Sequence, residues 1–179
     1  MITVNFINNE SLIVLIFFKL EIVVLSLKHL TKFFYNDIKK YTCAIARSVN
    51  LIGDKWSLLI LRDIILHKKS RFKEFRSSKE IIATNILTNR LNFLLKEGFI
   101  EKINPLGTKK STRYIALNKG ILTLPIIIEM YLFSIHSIDE SFLDDSQIGV
   151  KKELTVNRKA FEEKRIKEYL GFAKELRAL

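Results

Sequence analysis

Between residues 82 and 100 the apolar positions Ile86, Leu87, Leu91, Leu94 and Leu95 recur at the i, i+3, i+4 spacing that lines one side of a helix. The positions off that stripe, Thr84, Asn85, Thr88, Asn89 and Asn92, are short and neutral, unlike the Lys and Glu that usually coat a solvated helix. Thr84 is placed to cap this helix with its hydroxyl, and Gly98 to stop it in a left-handed turn. The period then changes from helical to alternating. Residues 99–103 and 111–117 read as two strands joined by a turn over 105–108, with Lys109 and Lys110 at or near its tip.

Upstream, residues 43–51 predict a helix with Ile45, Ala46, Val49 and Ile52 inward and Gly53 as its end. Asp54 is suited to cap a helix over 55–66. That helix is apolar on nearly all sides, so it is the expected buried centre, with Trp56 in the core. Ser70 is placed to cap a short helix over 71–76 with Phe72 and Phe75 inward, and residues 77–80 form the turn that follows. Downstream, the stretch 121–138 predicts a helix with Pro125 near its first turn or at a kink. Ile126, Ile127, Ile128, Met130, Tyr131, Leu132 and Phe133 make it too apolar to face water all round. The tail, 157–179, is a charged helix with Phe161, Ile166, Leu170, Ala173 and Leu176 on one stripe, able either to pack on the preceding helix or to project away.

A short helix, a turn, a polar-faced helix and a basic hairpin form the order of a winged helix-turn-helix. The expected fold is therefore mainly α with a small β-hairpin wing, plus extra dimerisation helices. Three parts are expected: an apolar extension over 1–30, the winged domain over 31–138, and a charged helical tail over 139–179. An apolar helix at the edge of a small domain usually buries itself on a second copy, so Ile127, Met130, Tyr131 and Phe133 are the expected homodimer interface.

Composition narrows the partner. Lys and Arg outnumber Asp and Glu by 30 to 19, a formal charge of +11, which suits a polyanion such as nucleic acid or an anionic membrane surface. One cysteine excludes an internal disulfide framework and a multi-cysteine zinc site, and fits a reducing cytoplasm. Residues 12–18 and 22–25 are apolar, but Lys19 and Glu21 interrupt them, and each run is far short of the ~20 residues a spanning helix needs. Residues 1–30 admit three readings: a helix packed on a dimer, a weak membrane anchor, or upstream sequence translated ahead of a start near Leu25–Leu30. The last is the expectation, and the segment is then dispensable. The rival reading for the whole chain is a basic membrane-surface protein anchored by residues 12–25.

In the major groove Asn bonds adenine N6 and N7 in a bidentate way, and a Thr methyl meets the thymine methyl. Thr84, Asn85, Thr88 and Asn89 are therefore the candidate base contacts. Arg71, Lys73, Arg90, Lys109, Lys110 and Arg113 suit phosphates, which set register but not sequence; Arg90 has an alternative role as an ion-pair partner within the domain. His29, His67 and His136 share no metal-binding spacing, and no Gly-rich phosphate loop or nucleophile elbow is present. No cofactor, metal or enzymatic activity is expected. A small enzyme using Cys43 as nucleophile would need a His or Asp partner that the sequence does not place.

Several blocks resemble HxlR-type transcriptional regulators of the MarR-like superfamily: Cys43-Ala44-Ile45-Ala46-Arg47, Leu51-Ile52-Gly53-Asp54-Lys55-Trp56, Leu58-Leu59-Ile60-Leu61-Arg62 and Arg71-Phe72-Lys73-Glu74-Phe75. The likeness continues through residues 82–91 and Glu97-Gly98-Phe99-Ile100 to Arg113-Tyr114-Ile115-Ala116-Leu117-Asn118-Lys119-Gly120, and covers about residues 41–138. It implies a winged helix-turn-helix homodimer on operator DNA, with the recognition helix around 84–92 and the wing around 109–113. It also implies that Cys43 is a candidate redox or electrophile sensor. A thiol at a helix start near Lys39, Lys40 and Arg47 is open to activation, although a small packed thiol without a signalling role is the expected reading. The implied partners are a double-stranded operator, expected to be an inverted repeat, and a second copy of the chain. No stable membrane partner is expected.

Overall fold

The computed structural model describes residues 43–104, 107, 108, 111–137 and 143–179. Expectations for residues 1–42 and for Lys109 and Lys110 lie outside the described residues. The chain divides into two units, 1–51 and 52–179. Helix α1 (Ala44–Ile52) begins one residue after Cys43, and all but its last residue belong to the first unit. Ile45 and Val49 are exposed rather than inward, which corrects the expectation from periodicity.

The second unit begins with α2 (Lys55–Ile65). Asp54 caps it: its Oδ1 accepts from the backbone N–H of Trp56 and Ser57 at 3.1 and 3.0 Å. Ile60, Leu61, Ile64 and Ile65 are all buried, so this helix is the centre of the unit as expected. Trp56 is only half-buried, with the Lys55 ammonium 4.6 Å from its ring. The short α3 (Phe72–Arg76) is held by the Glu74 carboxylate, which accepts from the N–H of Ser70 and Arg71. The N-cap is Arg71, so Ser70 does not cap this helix as expected. Phe75 is buried and Phe72 half-buried.

Helix α4 (Thr84–Lys96) buries Leu87, Leu91 and Leu94. Its N-cap is Ala83, which makes no side-chain bond, so Thr84 is the first helical residue and not the cap. Its end is a Schellman motif: Gly98 at φ +71° lets Phe99 N–H reach Leu94 O and Gly98 N–H reach Leu95 O. Strands β1 (Ile100–Ile103) and β2 (Arg113–Ala116) pair antiparallel, Ile100 opposite Ala116 and Ile103 opposite Arg113. On the outer edge of β2, Tyr114 N–H donates to Ser70 O at 2.7 Å, tying the hairpin to the start of α3.

A four-residue helix, α5 (Asn118–Ile121), leads into α6 (Leu124–Ser137). The 20-residue stretch Asn118–Ser137 is long and apolar enough to cross a membrane by length and composition. In the fold it carries Leu124, Ile127, Ile128 and Ile135 into the core. Gly120 is required by close approach: a Cβ there would lie 2.3 Å from the Phe99 carbonyl oxygen. Ala in place of Gly gains up to about 1 kcal/mol in an unhindered helix, but overpacking against fixed backbone costs roughly 1–3 kcal/mol or more. Gly120→Ala should therefore lower the urea midpoint; a higher midpoint would contradict this packing.

The last helix, α7 (Asp145–Arg177), starts twelve residues earlier than the sequence pattern suggested and is broken at Asn157 (φ −159°, ψ 94°). Asn157 Oδ1 accepts from Ala160 N–H at 3.0 Å and so restarts the helix. Its buried residues are Leu154, Phe161, Tyr169, Ala173 and Leu176; Leu170, expected inward, is half out, and Tyr169 takes its place.

Candidate nucleic-acid interface

Thr84, Asn85, Thr88 and Asn89 are all exposed on the first turns of α4, opposite the buried Leu87, Leu91 and Leu94. The Thr88 hydroxyl donates to Thr84 O at 2.8 Å, which leaves its methyl as the outward apolar group. Asn85 Oδ1 accepts from Ile86 N–H at 2.9 Å. Beside them Ile81 is 81% exposed at φ +48°. A β-branched residue in the left-handed region is a genuine outlier, of the kind held in place at binding surfaces by the structure around it. No periodicity pattern could have marked it.

What aims this helix is a cluster of charges that sequence reasoning missed. Asp63, 3% exposed, accepts from Arg62 at 2.7 Å, from Lys69 at 2.8 Å and from the Ser78 hydroxyl. Arg62 also forks onto Glu80 at 2.6 and 3.1 Å. The cluster joins the end of α2, the loop before α3 and the turn into α4. Hydrogen bonds from Arg62 hold the Glu80 carboxyl down at about 2, against an ordinary 4.5. Asp63 is also lowered: its bonds to Lys69, Ser78 and Arg62 together outweigh burial, which is the largest single influence and acts upward. Depressed carboxylates stabilise the fold fully above their ordinary pKa and lose that contribution as pH falls. Acidification from pH 4.5 toward 2 should thus release the turn, read by circular dichroism as a transition that Glu80→Gln moves or removes.

The cationic candidates divide. Arg71, the N-cap of α3, and Lys73 on it are exposed, Arg71 only loosely paired with Glu74 at 3.9 Å. Arg90 is drawn back into the domain: its Nη1 lies 3.3 Å from Asp54 Oδ2, and its guanidinium sits 5.6 Å from the Phe93 ring. This is the ion-pair role within the domain that the sequence also allowed for Arg90. Arg113 is buried, and its Nε and Nη1 have no hydrogen-bond partner among the described residues. It faces Ile103 across the ladder and is not a surface cation.

Among the expected interface residues, Met130 and Phe133 are 53% and 75% exposed. Ile127 is buried in the core, and the Tyr131 hydroxyl donates to Gln147 O. The outward stripe of this region is instead Leu122, Ile126, Met130 and Phe133. Cys43, in the other unit, is exposed, and the backbone N–H groups of Ala46 and then Ile45 pull its thiol below the ordinary value.

Two helices joined by a turn, the second with an exposed polar face, and an antiparallel hairpin after it define a winged helix-turn-helix. A family model described as HxlR-like helix-turn-helix matches residues 51–142, just over half of the chain. The chain belongs to that family and is a transcriptional regulator with a helix-turn-helix DNA-binding fold. It is 28% identical over 98 residues to the HTH-type transcriptional regulator YvaP of Bacillus subtilis strain 168, covering 55% of this chain and 90% of that one. Among solved structures it is similar to PA1607, assigned as a transcription factor (29% identity, TM-score 0.49, 60% of this chain and 70% of that one). Another is a protein of Porphyromonas gingivalis W83 assigned to the MarR family (25% identity, TM-score 0.47, 54% and 94%).

Proposed function

We propose that this protein acts in the cytoplasm as a homodimer that reads an inverted repeat in double-stranded DNA. Thr84, Asn85, Thr88 and Asn89 contact base edges in the major groove, and Arg71, Lys73, Lys109 and Lys110 hold phosphates. The observation that carries this reading is the face of α4: four short hydrogen-bonding side chains, all exposed, on a helix whose other side is locked into the core. Long charged side chains are absent from that face, so a groove wall can approach it closely. The chain's net charge of +11 favours a duplex over any neutral partner. Dimerisation is supported by the stripe Leu122, Ile126, Met130 and Phe133, an apolar strip of the kind a second copy covers.

The test is selection of bound duplexes from a random pool, with sedimentation of the purified protein. The expected result is a dimer and an inverted repeat with half-sites about one helical turn, or a multiple, apart. A monomer with no attraction to duplex DNA in dilute salt would overturn the reading. A response to oxidants through Cys43 is its finer part, supported by an exposed thiol whose pKa is lowered at a helix start. Operator affinity unchanged by diamide would exclude that part alone.

A further inference from the structure

The family match ends at residue 142, and α7 begins at Asp145, so this helix lies beyond the shared domain. It nevertheless reaches the root of the wing. Tyr169 has no exposed surface. Its hydroxyl accepts from Ala116 N–H at 2.5 Å and donates to Ala116 O at 3.1 Å. Ala116 is the last residue of β2, and both its main-chain groups point to the outer edge of the hairpin, where no third strand among the described residues takes them. At the end of α7, Arg177 donates to Glu101 of β1 from Nη2 at 2.5 Å and from Nε at 3.2 Å. The same helix thus holds both strands near the base of the hairpin. Burial pushes the Tyr169 phenol up to about 12, so the hydroxyl stays protonated and the two-sided bond persists at any physiological pH.

We propose that the C-terminal helix is a wing-positioning element: through Tyr169 on β2 and Arg177 on β1 it sets the direction in which the hairpin leaves the domain. It thereby sets how many phosphates the hairpin's lysines engage. This rests on the DNA-binding reading above. Tyr169 and Arg177 are positioning residues and touch no DNA.

The test uses full-length protein with Tyr169→Phe, which keeps the ring and removes only the hydroxyl. The second variant is Arg177→Ala, at an exposed position where folding is not at risk. Affinity for a duplex is measured across a salt series, beside amide exchange at Ala116. Each engaged phosphate adds about 0.9 to the slope of log K against log salt. A loose wing should flatten that slope by about one to two and weaken binding roughly tenfold at low salt, with faster exchange at Ala116 in Tyr169→Phe. A simple loss of folded protein would lower affinity and leave the slope unchanged. Variants with the slope and affinity of the wild type overturn the proposal and leave the DNA reading intact. A wild-type protein that binds no duplex overturns the DNA reading itself.

Discussion

Replacing Asn85 and Asn89 together by Ala should weaken binding to the selected duplex by several hundredfold and binding to random duplex only slightly. Each Asn–adenine pair is worth about 1–3 kcal/mol of discrimination. Two such pairs therefore amount to roughly 2–6 kcal/mol, short of full additivity because the residues are neighbours one turn apart on α4. Both side chains are exposed, and neither contributes to the buried stripe of Leu87, Leu91 and Leu94, so the variant should fold as the wild type does. Non-specific affinity rests on the cations, which the substitution leaves in place. The check is a pair of titrations, selected and scrambled duplex, at one salt concentration. Equal losses on both would show that α4 does not read bases.

The second large effect concerns the fold that presents this face. Asp63→Ala should destabilise the protein by up to about 3–5 kcal/mol, because the buried carboxylate that joins the half-buried Arg62 and Lys69 is lost. Arg62 would keep Glu80, but Lys69 would lose the carboxylate 2.8 Å away and the Ser78 hydroxyl its acceptor. Against a total stability of about 5–15 kcal/mol, such a loss moves the denaturant midpoint far and can unfold the domain on warming. Pairs at the surface behave differently: the exposed Lys159 and Glu163, 4.0 Å apart, should contribute ~0.5 kcal/mol or less. Urea titration of both variants, Asp63→Ala and Glu163→Ala, separates the two classes. Similar midpoints would show that the buried cluster is not holding the turn.

Local pattern carried much of this architecture. The two faces of α4 follow from spacing alone, because a helix with apolar residues at i, i+3 and i+4 has one side to bury. Asp54 as an N-cap and Gly98 as a left-handed stop are decided within a few residues, by a carboxylate in reach of free N–H groups and by the absence of a Cβ. The hairpin, the order of elements and the family likeness over residues 41–138 were legible for the same reason.

Other features depend on which surfaces meet. A helix apolar all round, such as α6, has no polar side to orient it, so periodicity could not tell Ile127, buried, from Phe133, exposed. Arg90 and Arg113 carry the same charge as Arg71, but only packing puts Asp54 beside the first and buries the second. Tyr169 in a charged tail looks like any aromatic on a stripe until Ala116, distant in the chain, offers it both main-chain groups. The sequence alone determined what each segment can form, since caps, turns and helical faces are settled within a few residues. The tertiary structure decided which charges are free and which are used up, since pairing across the chain depends on how segments dock.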